Sequence, residues 1–149
     1  MPTSPAPAAL TRTQKDRLTS DLRLACMRIT RRSKAESTVE VAPHQFSVLI
    51  RLEDGPRTPK ELADIEQVSA PSVTRTVAAL VEAGYVSRAD DPSDGRQVFL
   101  HLTKAGKQAI RETRRRRDQW LATRLEHLTD AERALLVEAT ALLERVAAE

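Results

Sequence analysis

At Gly84 the apolar spacing of this chain changes from about 3.6 residues to two. Two short helical patterns precede that point. Thr58-Pro59-Lys60-Glu61 has the spacing of a capping box, with proline at the first helical position, where its missing N–H costs nothing. Leu62, Ala63 and Ile65 give this helix an inner face. Ser69 is the next N-cap. The helix it opens runs over Ala70–Ala83, with Val73, Val77, Leu80 and Val81 on one side and Gly84 at C′. Pro71, Arg75, Ala78 and Ala79 face away from that stripe, and Ser72 and Thr74 flank it. Beyond Gly84, Tyr85–Arg88 and Gln97–Leu102 alternate as strands. Between them Asp90–Arg96, with Pro92 and the pair Asp94-Gly95, reads as a hairpin loop. Two helices on a tight turn followed by a small hairpin form a winged helix-turn-helix.

The flanks are helical. From Thr11 to about Arg32, Leu18, Leu22, Ala25 and Ile29 recur at steps of 4, 3 and 4. Lys34–Val41 is polar and reads as a loop. Pro43 opens a helix that buries Phe46, Leu49, Ile50 and Leu52 and stops at Asp54-Gly55-Pro56. Thr103 caps a long helix to about Leu128. Thr129-Asp130-Ala131-Glu132 is a further capping box, opening a last helix that carries Leu135, Leu136, Ala139, Leu142, Leu143 and Val146. The fold class is mainly α with a minor α+β element. The expected division is an N-terminal arm over 1–10, a helix and loop over 11–42, the winged module over 43–102 and C-terminal helices over 103–149.

Composition excludes several functions. A single cysteine allows no intramolecular disulfide and no multi-thiolate metal site. Cys26, beside the first stripe, reads as a small core residue rather than an oxidant sensor. His44, His101 and His127 do not share i, i+3 or i+4 spacing, so no metal site is expected. A phosphate-binding glycine loop and a His/Asp/Ser set are both missing, so neither an enzyme nor a cofactor is expected. Without a secretory leader or a membrane span, the expected compartment is the cytoplasm. The pI of about 9.4 favours a polyanionic partner. Residues 57–107 nevertheless carry seven basic and seven acidic groups, so contacts with DNA must come from a few placed arginines. Arg111 and the run Arg114–Arg117 read as a solvated face, with Glu112 and Asp118 as nearby partners.

Those placed groups lie at two points. The start of the second helix presents Ser69, Ala70, Pro71, Ser72, Thr74, Arg75 and Thr76, which are small enough for close approach to a major groove and carry hydroxyls and a guanidinium. Arg96 sits on the hairpin tip beside Asp94 and Gly95, where a projecting guanidinium suits a narrow minor groove.

Between residues 44 and 106 the chain resembles the MarR family of bacterial transcription regulators. The resemblance is carried by Gln45-Phe46-x-Val48-Leu49, Thr58-Pro59-x-Glu61-Leu62-Ala63 and Val68-Ser69-x-Pro71-Ser72-x-Thr74-Arg75-x-Val77-x-x-Leu80. It continues through Gly84-Tyr85-Val86-x-Arg88, Asp91-Pro92-x-Asp94-Gly95-Arg96 and Leu102-Thr103-x-x-Gly106. The resemblance implies a homodimer whose N- and C-terminal helices form a helical dimerisation domain. It further implies a repressor that places two winged modules on a pseudo-palindromic operator, and a small, often phenolic or anionic, effector. By resemblance Arg96 is the wing-tip arginine. Asp94 is the aspartate that steadies the wing through Arg88 or Arg75, and Arg88 joins the DNA-facing set. Arg17, Arg23 and Arg28 on the first helix fit an anionic aromatic effector, although no effector-binding residue is assigned. Three departures stand out. Ser93 replaces a wing cation, Glu66-Gln67 replaces a glycine-containing turn, and Ala78 and Ala79 lie on the outer face of the recognition helix. The alternative is a winged-helix protein-interaction module without DNA-binding activity.

Overall fold

The structure is a computed structural model that describes residues 9–36 and 41–148. Its elements are α1 (Arg12–Glu36), α2 (Pro43–Arg51), α3 (Pro59–Glu66), α4 (Ala70–Glu82), β1 (Val86–Asp90), β2 (Val98–Leu102), α5 (Lys104–Leu125) and α6 (Asp130–Ala148). Most of the expected arm, residues 1–8, and positions 37–40 of the expected loop lie outside the described residues. The start of that loop is corrected, because Lys34, Ala35 and Glu36 continue α1. The Glu36 carboxylate accepts hydrogen bonds from Trp120 (2.6 Å) and Arg124 (2.7 Å) on α5, which holds this last turn in place. At the other end of the pairing, α5 stops at Leu125 rather than Leu128.

One core joins six elements, α2, α3, α4, β1, β2 and α5. Leu49 of α2, Leu62 of α3, Leu80 of α4, Leu100 of β2 and Ile110 of α5 are each at most 1% exposed. Burying a side chain of this size fully stabilises the fold by about 1.5–3 kcal/mol. Ile65 does not join them and is 38% exposed. The inward position of its turn belongs to Glu66, which accepts hydrogen bonds from Ser47 and Arg51 of α2. Burial pushes the Glu66 carboxyl up, but these two partners more than offset it and hold it below the usual carboxylate range.

The hairpin pairs antiparallel from Val86↔Leu102 to Asp90↔Val98. Val86 and Leu100 point into the core, and Val98 and Leu102, on the same strand face as Leu100, are half-buried. A third backbone joins the sheet at one residue. Arg57 N–H donates to the Leu100 carbonyl (3.2 Å), and Leu100 N–H donates to the Arg57 carbonyl (2.8 Å). A single bridging residue between Pro56 and Thr58 has no period, so the sequence carries no signal of it.

Two turns fix how the helices enter the module. Gln67, at the end of α3, has φ 52° and ψ 44°, the left-handed conformation that a side chain disfavours by roughly 1–2 kcal/mol. Gln67→Gly is therefore expected to raise stability by about 0.5–1 kcal/mol, measured by urea unfolding. A lower unfolding midpoint would contradict the strain. At the second turn, Thr103 N–H and its hydroxyl donate to the carbonyls of Tyr85 (3.0 Å) and Gly84 (2.7 Å). The Thr103 hydroxyl also accepts from Gly106 N–H (3.0 Å). This seats the first turn of α5 directly on the backbone that leaves α4.

The outermost helices differ from the rest. Neither α1 nor α6 has a buried residue. Leu18, Leu22 and Ile29 of α1 are 54%, 38% and 46% exposed. Leu135, Leu142 and Val146 of α6 are 65%, 53% and 69% exposed. Cys26 is exposed as well, which corrects its expected place as a core residue within a single chain.

Candidate nucleic-acid interface

The second helix of the pair, α4, begins where the capping chemistry places it. Ser69 accepts from Ser72 N–H at 3.4 Å, and Pro71 occupies the first turn. Val73, Val77 and Leu80 anchor the helix in the core, and this sets the opposite face outward. Ser69, Ala70, Pro71, Thr74, Arg75 and Ala78 are exposed, whereas Ser72, Thr76 and Ala79 are half-buried. The outward strip is therefore slim and holds one long side chain, Arg75. Thr74 and Thr76 hydroxyls donate to the carbonyls of Ala70 (2.8 Å) and Ser72 (3.1 Å). In that arrangement they offer lone pairs outward, suited to the amino groups on base edges.

The wing tip is stapled by its own carboxylates. Asp91 accepts from Ser93 N–H (2.8 Å) and from the Ser93 hydroxyl (2.7 Å), and these bonds hold its carboxyl below the usual range. Asp94 accepts from Arg96 N–H at 3.1 Å. The expected ion pair of Asp94 with Arg88 or Arg75 does not form. Asp94 instead closes an Asx turn with the N–H two residues on. Arg75, Arg88 and Arg96 all make no ion pair with any described residue. All three are exposed.

The arginine run on α5 behaves differently. Arg114 pairs with both oxygens of Glu53 (3.0 and 2.7 Å), and Arg115 and Arg116 clamp Glu112. Arg115 first, and Arg116 with it, pull the Glu112 carboxyl down to about 2. Since the folded value lies below the ordinary 4.5, the clamp is intact above that value and is lost only as pH falls towards 2. Arg117 stacks on Phe46 with its guanidinium carbon 4.3 Å from the ring centre. Glu112 was legible as a partner, but Glu53, sixty-one residues away, was not. Among the described residues no group of three His, Cys, Asp or Glu side chains could hold a metal. No described helix is long and apolar enough to cross a membrane.

Comparison with known proteins fits this geometry. Residues 40–97, from the approach to α2 through the wing tip, match the MarR family model. Over 129 residues the chain is 41% identical to the HTH-type transcriptional regulator Mb0904 of Mycobacterium bovis, covering 85% of this chain and 90% of that one. The chain belongs to the MarR family. A second relative, the HTH-type regulator YpoP of Bacillus subtilis, is 32% identical over 71% of this chain and 76% of its own. Among solved structures, the transcriptional regulator Tm0710 of Thermotoga maritima superposes with a TM-score of 0.75 at 26% identity, covering 88% of this chain and 94% of that one. Rv1404 of Mycobacterium tuberculosis superposes at 0.71 with 28% identity, covering 97% and 100%. As a MarR-family chain this is a helix-turn-helix transcription regulator with the winged-helix fold expected from its sequence.

Proposed function

We propose that this regulator is a homodimeric repressor that binds a pseudo-palindromic site in double-stranded DNA. The observation that carries the reading is the bare outward strip of α4 beside three exposed arginines that make no ion pair with any described residue. Ser69 to Thr76 would meet base edges and nearby phosphates, and Arg96 would enter the flanking minor groove. Residues 43–102 form the DNA-binding module in this reading, and 11–42 with 103–149 form the dimerisation domain. The stripes of α1 and α6, uncovered in one chain, support that division. An apolar face of this extent calls for a partner surface. Two-fold symmetry then places half-sites about 10 bp apart.

An effector fits the same reading. A cavity of about 540 Å³ is lined by Arg28, Ile29, Arg31, Arg32, Trp120 and Arg124. Four arginines beside an indole suit an anionic aromatic molecule, and the site touches both α1 and α5. Binding there would bias the relative placement of the two helices.

The test is to sequence genomic fragments retained by the purified protein. Inverted repeats with half-site centres about 10 bp apart should be enriched. Retention of no duplex would overturn the reading in favour of a protein-binding module. For the wing, Arg96→Ala is expected to weaken operator binding by about 1–3 kcal/mol, most where the flank is A·T-rich. Equal affinity of the variant and the parent across flanks in a gel-shift series would remove this role.

A further inference from the structure

Between the start of α2 and the flank of α4 lies an open cleft of about 360 Å³, lined by His44, Gln45, Ser72, Arg75, Thr76 and Ala79. The four α4 residues follow i, i+3, i+4, i+7 and so form one strip. That strip is turned from the Pro71/Arg75/Ala78 strip towards α2, and the two share Arg75. Among the described residues, no carboxylate lines the cleft. The Gln45 side-chain oxygen accepts from Ala42 N–H (2.9 Å), leaving its amide nitrogen for another partner. Ala42 stands at the N-cap of α2 and has no side-chain oxygen with which to cap the first N–H groups. His44 is exposed at the mouth, and Ala79 leaves the floor open. The cleft therefore brings together the Arg75 guanidinium, the Gln45 amide and the His44 imidazole, with no described carboxylate among them.

We propose that this cleft seats one backbone phosphate of the duplex in each half-site, so that α2 takes part in binding alongside α4 and the wing. The inference rests on the DNA-binding reading above. A helix with side chains is about 10–12 Å across and the major groove about 12 Å wide, so the flanks of a seated helix face the sugar–phosphate strands. The flank of α4 that faces α2 is the cleft wall. A phosphodiester there meets Arg75 from α4 and His44 and Gln45 from α2. Phosphate contacts fix register without reading sequence. Arg75 thus has a choice between a base edge and this phosphate, and the cleft favours the phosphate.

The test uses the full-length protein and two duplexes, the enriched operator and an unrelated sequence of equal length. Ala79→Glu places a carboxylate on the cleft floor, and His44→Glu places one at its mouth. Each is expected to weaken binding to both duplexes about tenfold. His44→Lys is expected to tighten both and to steepen the dependence of log K on log salt by about 0.9. In a scan of single uncharged methylphosphonates, one position per half-site should weaken wild-type binding and have no further effect on Ala79→Glu. Circular dichroism and unfolding midpoints confirm that each variant is folded. If wild-type protein binds DNA but both glutamate variants match it, or if they lose only operator preference, the cleft holds no phosphate. If wild-type protein binds neither duplex, the DNA-binding reading fails first and this one with it.

Discussion

Leu142→Glu is expected to convert the protein to a monomer and to lower its affinity for an inverted-repeat duplex by about 10²–10⁴-fold. Leu142 is 53% exposed and sits in the α6 series Leu135, Ala139, Leu142, Val146, whose steps of 4, 3 and 4 make a helical seam. The first helix carries a matching series, Leu18, Leu22, Ala25 and Ile29, likewise uncovered. In a single chain these stripes bury nothing, so α6 has no intramolecular reason to be apolar on that side. The proposed second copy would supply one. Placing a carboxylate mid-seam costs far more than a surface exchange, because the charge would be desolvated without a partner. The DNA effect follows from losing the second winged module, since two linked half-site contacts gain their affinity from being joined. Light scattering coupled to size exclusion reads the mass, and gel shift reads the affinity. A dimeric Leu142→Glu variant, or a monomeric one that binds as tightly as the parent, would contradict the dimer proposal.

The second large effect concerns stability. Gly106→Ala is expected to cost roughly 3 kcal/mol and to lower Tm by about 6–12 °C. A Cβ at Gly106 would stand 2.2 Å from the Tyr85 carbonyl oxygen and 2.6 Å from Leu102 Cδ1. The first neighbour is backbone and cannot rotate aside. Relief would require the first turn of α5 to lift from the Gly84–Tyr85 backbone, at the expense of the Thr103 hydrogen bonds. Differential scanning calorimetry gives the comparison. An unchanged Tm would mean that α5 is not seated on this turn. Gly84→Ala offers a contrast, because nothing lies within 4 Å of its Cβ and its cost comes from φ +77° alone.

Much of this architecture was legible in the sequence because each element announces itself locally. Thr58 and Glu61 form the reciprocal hydrogen bonds of the capping box (2.7 and 3.2 Å), and Thr129 and Glu132 repeat them (2.8 and 3.3 Å). Ser69 and Gly84 bracket α4 as their residue types require. What escaped was non-local. Glu53 as the partner of Arg114, Glu36 as that of Trp120 and Arg124, and the Arg57 bridge to Leu100 all join residues far apart in the chain. A helical wheel shows which way each side chain leans but not what stands opposite it. Ile65 was misplaced for the same reason, since the inward slot it suited by hydropathy is filled by a carboxylate held by α2. At the candidate interface, the exposure of Arg75 follows from helix phase and that of Arg96 from its place on the hairpin turn, whereas Arg88 is exposed although it shares the strand face of Val86. The Asp94 pairing implied by the family resemblance is not formed, and Asp94 closes an Asx turn within the wing tip instead.

The most direct test of the central claim is a salt titration of affinity for the enriched inverted-repeat duplex. If arginines on α4 and the wing displace counterions from phosphates, log K should fall linearly with log salt, losing about 0.9 in slope for each phosphate neutralised. Arg75→Ala should then reduce that slope by about one while leaving the dimer intact. An affinity that does not change with salt, or the absence of any duplex binding at low salt, would mean that the outward strip of α4 meets something other than DNA.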